Sequence, residues 1–441
     1  MKLGVLFSGG KDSVFACHLA RQKDEVSCLI TLLSENPDSY MFHTPNIRCT
    51  DLQARAMEIP ILLWPTAGRK EKELEDLAAA ISAARDRYGI EGIVTGAIES
   101  VYQAARVERI CRDLDLWCCS PLWQANQIDY LRLLLDCGFS VIISGVYAYP
   151  FDESWLGEAL SWERIQILQS LQKKYKINPS GEGGELETFV LDGPLFRQRI
   201  EILRASQIYA NHRGRFLIER ARLAEKRDQK RGPEPCSQPE GICPIRQDSP
   251  RPESGGILLV DLCARPDSLF QYEFVHPVRA ALKDCGHGSR ILHYTELTPQ
   301  DIDASERIIL CGTALKDDEY LGHLSQLSWI RDFRRPLMGI CAGMQVISAI
   351  YGGAAVPCPA IGLTEIDIIQ DSSLLGEARP LEVYQLHNHA ASLPEGFVLM
   401  AGSRDAPMAF RHPIRPTFGL LFHPEVRCRW ILERFANLPG Y

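Results

Sequence analysis

The sequence predicts an α/β protein built as two doubly wound, mostly parallel-sheet domains. Three observations carry that expectation. Short apolar runs alternate with helical patterns, the sign of a parallel sheet wrapped by helices. The alternation stops over residues 225–255 and resumes after them. At 441 residues the chain is also too long for one ordinary core, since a domain takes about 150 residues.

In the first half, LGVLF, VSCLITLL, EGIVTGAI and SVIISGVY read as strands. An amphipathic helix over Glu71 to Tyr88 lies between the second and third. In such a sheet, ligands belong at the carboxyl ends of the strands. Residues 225–255, EKRDQKRGPEPCSQPEGICPIRQDSPRPESG, are rich in Pro, Gly, Ser and charge and lack apolar periodicity. They form a flexible linker, which separates a domain at 1–224 from one at 256–441. In the second domain GGILLVDLC, RIILCG, PLMGIC and TFGLLFHPE are the strand-like pieces. Cys236 and Cys243 in the linker fit no Cys-x2-Cys pair and have no second pair nearby, which argues against a metal site and leaves their role open.

Composition narrows the partners. An apolar share of 46% and a charged share of 24% belong to an ordinary globular protein. A net charge of -8 and a pI near 5.8 argue against a general nucleic-acid or anionic-membrane binder. No apolar run has membrane-spanning length, and the chain starts directly on a strand, so we expect a cytoplasmic protein without a membrane partner. The 15 cysteines sit mostly in apolar runs, as reduced core thiols do. The sequence is compatible with a homo-oligomer and does not specify one.

The first chemical site is SGGKDS, Ser8 to Ser13, placed between a strand and a helix. It is not a Walker A loop, because Gly-x4-Gly-Lys-Ser/Thr is missing. Gly9 and Gly10 let backbone approach an anion, and their N–H groups add to the positive end of the next helix. Ser8 and Ser13 add hydroxyls, Lys11 adds a full charge, and Asp12 either holds magnesium or caps the helix. These residue types suit a polyphosphate; the plain alternative is a capped Gly-Ser turn.

The hexapeptide resembles the PP-loop of the ATP pyrophosphatases. With SENPDSYMFHTPNI (34–47), GAIESVYQAARVERI (Gly96 to Ile110) and GEGGELETFVLDGP (Gly181 to Pro194), residues 1 to about 223 resemble the diphthine–ammonia ligase family. The resemblance implies a HUP-like fold that binds ATP and magnesium, with Gly96 among the nucleotide-binding residues. It further implies amidation of diphthine on translation elongation factor 2 through an acyl-adenylate, with release of AMP and pyrophosphate. In GEGGELET, the carboxylates Glu182, Glu185 and Glu187 beside Gly183 and Gly184 suit a trimethylammonium group or a magnesium ion. An acidic solvent-facing turn is the plain alternative. Tyr102 and Arg106 share a helix face, either to meet phosphate or as an ordinary i, i+4 pair. The family commonly has a basic residue where this chain has Ala104. Tyr40 and His43 either face the nucleotide or pack, and DESWLG (Asp152 to Gly157) carries the resemblance without a role of its own.

The second site is a thiol elbow. Cys341 sits in Gly-x-Cys-x-Gly between an apolar strand and a helix, as a nucleophile does when a tight turn lifts it toward substrate. Farther on, His423 is placed as general base and Glu425 as the group that orients it. With Gln345, this set resembles the class I glutamine amidotransferases over roughly residues 256 to 438, which implies a flavodoxin-like fold and glutamine hydrolysis through a thioester on Cys341. The resemblance puts Gln345 and Gly312 among the substrate-binding residues. That family commonly has Gly-Gly-Pro in its oxyanion strand-end, where this chain reads LCGTALKDDE and keeps only Gly312. His387 and His389 read as packing residues.

Together the sites describe one reaction: ammonia from glutamine amidates a carboxylate activated by ATP. A linker of that length keeps the two domains at millimolar effective concentration. Two alternatives stay open, namely a different carboxylate substrate, or a second domain that only docks or regulates while the ligase uses free ammonium.

Overall fold

The computed structural model describes residues 1–35, 45–69, 72–226 and 256–439. They form two compact units, one on each side of residues 227–255. Tyr40, His43, Cys236, Cys243 and nearly all of the expected linker lie outside the described residues.

In the first unit β1 (Lys2–Leu6), β2 (Glu25–Ser34), β3 (Ile61–Thr66), β4 (Gly92–Val94) and β5 (Trp117–Cys119) make a five-stranded sheet in the order β3-β2-β1-β4-β5. Every neighbouring pair is parallel. The order reverses at β1, so its carboxyl end opens into the crevice between oppositely directed crossovers, where such sheets bind ligands. Around it run α1 (Lys11–Lys23), α2 (Thr50–Met57), α3 (Lys72–Tyr88), α4 (Val101–Asp113), α5 (Gln127–Asp136) and α6 (Trp162–Tyr175). Leu77, Ala80, Ile81 and Ala84 of α3 pack on Cys28, Ile30 and Leu32 of β2, the face that their helical spacing predicts.

One strand departs from expectation. SVIISGVY, read as part of the parallel sheet, supplies β6 (Ser140–Val146) of a separate antiparallel sheet. With β7 (Leu186–Asp192), β8 (Arg199–Ala210) and β9 (Arg213–Ala224) it gives the order β7-β6-β9-β8. The reason is the β8–β9 hairpin: Asn211 and His212, at φ 51° and 60°, make the two-residue turn that matches strand twist. This hairpin offers β6 an antiparallel neighbour that an apolar run cannot announce. DESWLG closes against β6, with Asp152 accepting the Ser154 N–H at 3.0 Å and the Gly157 N–H meeting the Ile143 carbonyl at 2.8 Å.

The second unit has one nine-stranded sheet. Its parallel part runs β11 (Ser289–His293), β10 (Gly256–Asp261), β12 (Ser305–Leu310), β13 (Leu337–Ile340) and β18 (Thr417–Leu420). The sheet continues antiparallel through β17 (Pro407–Arg411), β16 (Val398–Gly402), β14 (Ala355–Ile368) and β15 (Arg379–Ala391). Along β10, Ile257 and Leu259 join one core while Leu258 and Val260 join the other. Burial on both faces explains why this strand reads as an unbroken apolar run. All cysteines among the described residues are free thiols, and no helix among them is long and apolar enough to cross a membrane.

Candidate functional sites

The SGGKDS loop leaves β1 and enters α1 with Gly10 as the N-cap. Gly9 has φ +77°, and a Cβ there would lie 2.3 Å from Gln53 Oε1, so only glycine fits. Buried Gln53 donates to the carbonyls of Gly9 and Val190, both at 2.8 Å. The Lys11 N–H donates to Thr188 Oγ1 at 3.1 Å. These contacts fasten the loop to β7. Ser13 Oγ donates to the Gly10 carbonyl at 3.1 Å and accepts from the Ser8 N–H at 3.2 Å, so the two serines shape the loop itself. At Gly96 a Cβ would stand 2.8 Å from backbone atoms of Asp12 and Ser13, and glycine there lets the segment after β4 press on the start of α1.

Lys11 is buried, and its ammonium donates to Asp12 Oδ2 at 2.9 Å and to the Ser180 carbonyl. Asp12 therefore does not cap α1, which corrects one of its two sequence readings. Its other oxygen, Oδ1, is buried without a hydrogen-bond partner.

The three glutamates of GEGGELET part company. Glu182 Oε1 accepts the N–H groups of Ile98, Glu99 and Ser100 at 3.1, 3.1 and 3.0 Å, so it closes the N-terminus of α4. Burial and the nearby Asp12 raise its pKa against the pull of those N–H groups. Glu185 Oε1 accepts the backbone and side-chain N–H groups of Asn178 at 3.1 and 3.2 Å, while its Oε2 is buried without a partner. Gly183 and Gly184 form the exposed turn between them. The Glu187 carboxylate makes no hydrogen bond or ion pair to any described residue. Burial, with Asp12 adding and Lys11 and Arg215 opposing, pushes its carboxyl up to about 8.

Tyr102 and Arg106 meet as their spacing predicts, the guanidinium 3.3 Å from the ring centroid and Nη1 donating to the Tyr102 carbonyl at 3.3 Å. The helix-pair reading fits this geometry, and no described hydrogen bond joins Arg106 to the Ser8–Ser13 loop.

In the second unit Cys341 stands between β13 and the helix Ala342–Ile350 at φ +50°, ψ -105°, a strained position for a non-glycine residue. Its neighbours make the turn fit. A Cβ on Gly339 would lie 2.3 Å from Gly343 backbone, and one on Gly343 would lie 2.3 Å from the Leu310 carbonyl. The Cys341 N–H donates to the Leu420 carbonyl at 2.7 Å, which ties the elbow to β18 just before His423. His423 Nδ1 lies 2.7 Å from Glu425 Oε1, and both side chains are buried. Burial opposes a charged imidazole, but Glu425 and Cys341 outweigh it and hold the His423 pKa well above its ordinary value. Gly312 overlooks the pair: a Cβ there would be 2.8 Å from His423 Cε1 and 3.6 Å from Cys341 Cβ.

The altered strand-end after β12 is held by side chains. Thr313 Oγ1 donates to Asp317 Oδ2 at 2.5 Å, and Asn388 Nδ2 donates to the Leu315 carbonyl at 2.8 Å. Gln345, expected as a substrate contact, accepts from Tyr320 through Oε1 at 2.6 Å and donates from Nε2 to the His389 carbonyl at 2.8 Å. His387 packs as expected, bonded to Gln385 at 2.9 Å and held neutral by burial at a pKa of about 4. Sequence reasoning missed Gln53, Thr188, Thr313, Tyr320 and Asn388, whose side chains carry no local signal of the roles they take.

Residues 1–117 match the family model for the diphthamide synthase N-terminal domain and 126–224 that for the diphthamide synthase C-terminal domain. Residues 269–431 match glutamine amidotransferase class-I. The diphthine–ammonia ligase of Rattus norvegicus is 36% identical over 224 residues, covering 46% of this chain and 83% of its own. That of Homo sapiens is 35% identical over 222 residues, covering 45% and 82%. A glutamine-hydrolyzing GMP synthase chain of Thermoplasma acidophilum is 33% identical over 159 residues, covering 33% and 79%. With both its ligase-type loop and its thiol elbow accounted for, the chain belongs to the diphthine–ammonia ligase family and carries a class-I glutamine amidotransferase domain in its second half.

Proposed function

We propose that this chain uses ATP and glutamine to amidate diphthine on translation elongation factor 2. Residues 1–224 are the ligase, 225–255 the linker and 256–441 the glutaminase. The observation that carries the reading is the fastening of the acidic segment to the nucleotide loop, through Lys11 to Ser180 and Thr188.

Ser8, Gly9, Gly10, Lys11 and Ser13, at the N-terminus of α1, hold the β- and γ-phosphates of ATP. Lys11 exchanges the Ser180 carbonyl for phosphate oxygen. A carboxylate oxygen of the substrate attacks the α-phosphorus, and the bond to pyrophosphate breaks. Ammonia nitrogen then bonds to the acyl carbon, loses a proton, and AMP leaves. A magnesium ion bound with the nucleotide would offset phosphate charge. Among the described residues no three His, Cys, Asp or Glu side chains gather as a metal site, whereas the unpartnered Asp12 Oδ1 suits one contact to a phosphate-bound ion.

In the glutaminase, the Cys341 sulfur attacks the side-chain amide carbon of glutamine. His423, oriented by Glu425, takes the thiol proton and delivers it to the leaving ammonia. Water then releases glutamate. Gly312 keeps the space over the pair open to substrate.

The full chain, given ATP, ammonium and diphthine-bearing elongation factor 2, should release AMP and pyrophosphate in step with amide. Release of ADP and phosphate, or nucleotide turnover indifferent to the diphthine, contradicts the reading.

A further inference from the structure

Lys316, Asp318 and Glu319 in the segment LCGTALKDDE are exposed, yet Asp317 between them is buried. No described cation pairs with it. Its Oδ2 accepts the Thr313 hydroxyl at 2.5 Å and the Ala264 N–H at 2.7 Å. Thr313 follows β12 and Ala264 follows β10, and these strands are parallel neighbours in the sheet. One carboxyl oxygen thus ties together the backbone beyond two adjacent strand ends. Burying a carboxyl away from any cation is unfavourable, so the clamp points to a demand on the backbone it holds.

That backbone, at Gly312 and Thr313, borders the nucleophile. A Cβ on Gly312 would be 3.6 Å from Cys341 Cβ. Among the described residues no hydrogen bond takes the N–H of Gly312 or of Thr313. The Ala342 N–H, next to Cys341, is the first of its helix and one of those that a helix leaves unpaired. When the Cys341 sulfur bonds to the amide carbon of glutamine, the carbon–oxygen π bond breaks and the oxygen takes its electron pair. N–H groups beside the sulfur suit that oxygen, and they stabilise it only as far as they are fixed beforehand. No proline stiffens this strand-end.

We infer that Asp317 is a positioning residue for the glutaminase: through Thr313 and Ala264 it holds the backbone at Gly312 and Thr313 in place to donate to the oxyanion formed at Cys341. The inference rests on the reading of the second unit as a glutaminase. It assigns to a side-chain clamp the rigidity that the sequence of the strand-end does not supply, and Asn388, on the Leu315 carbonyl, holds the same loop farther along.

The test uses the full chain with ATP and diphthine-bearing elongation factor 2, reads glutamate release, and adds two reagents for Cys341. Glutamate γ-semialdehyde, the aldehyde analogue of glutamine, takes the sulfur at its carbonyl carbon and forms a like oxyanion. Iodoacetamide loses iodide to the sulfur and forms none. Asp317→Ala and Thr313→Val should each lower kcat for glutamine on the order of 10- to 100-fold while its KM holds. Both should weaken the aldehyde by a similar factor and leave the rate of alkylation by iodoacetamide unchanged. Asp317→Asn, which keeps an accepting oxygen, and Thr313→Ser, which keeps the hydroxyl, should retain most of the turnover. Variants that keep kcat and aldehyde affinity, or that lose alkylation in step with them, overturn the role of Asp317 alone. Wild type that reacts with iodoacetamide but neither hydrolyses glutamine nor binds the aldehyde overturns it together with the glutaminase reading.

Discussion

Gly312 lies where one added carbon meets His423, the proposed general base. Gly312→Ala would place its methyl 2.8 Å from His423 Cε1, and displacing a reacting group by about 1 Å costs about 10²-fold. We expect that loss in glutamine-dependent turnover with ammonium-dependent turnover intact, measured as glutamate and AMP release side by side. Two buried histidines make a pH prediction. Burial lowers His18 and His387 from 6.5 to about 4 each. The unfolded chain therefore binds protons that the folded chain refuses, and stability is full above 6.5 and falls as pH drops toward 4, by at most about 3 kcal/mol for each residue. Denaturant titrations between pH 7 and 4 should show this loss, and His18→Gln should flatten the slope. The residue scale is also where sequence reading reached least far. Glu182 reads as a substrate carboxylate, and nothing local tells that Oε1 also meets the N–H groups at the start of α4, more than 80 positions away. Gln345 reads as a ligand contact, and its bonds to Tyr320 and His389 carry no signal in the sequence. Residue type states what a side chain can bond, and only the fold decides which partner reaches it.

At the scale of elements, the two functional turns were legible and their supports were not. Strand, glycine turn and helix follow each other locally in SGGKDS and in Gly339–Gly343, so periodicity and glycine spacing find them. Gln53, which clamps the first turn to β7, is a neutral residue on a helix and carries no local signal. Gly9→Ala should cost about 1–2 kcal/mol for its left-handed backbone alone, with further loss from the collision at Gln53. Chemical denaturation and ATP binding by calorimetry should both register it. β6 marks the other limit: the apolar run SVIISGVY announces a strand but not its direction, and its place was settled by β9, whose paired residues lie more than 60 positions later.

For the whole molecule, the division into two α/β units coincides with the break of the apolar pattern, and each of the two proposed sites lies within one unit. The two proposed sites make separable demands, Lys11 on phosphate and Cys341 on glutamine. Lys11→Ala should therefore abolish AMP release with either nitrogen source. The direct measurement is AMP release with diphthine-bearing elongation factor 2 and ATP, supplied with glutamine or with ammonium, in wild type and Cys341→Ala. The account predicts that wild type uses both and that the variant loses only the glutamine-dependent reaction. Wild type that responds to ammonium and never to glutamine, or a variant that still uses glutamine, contradicts it.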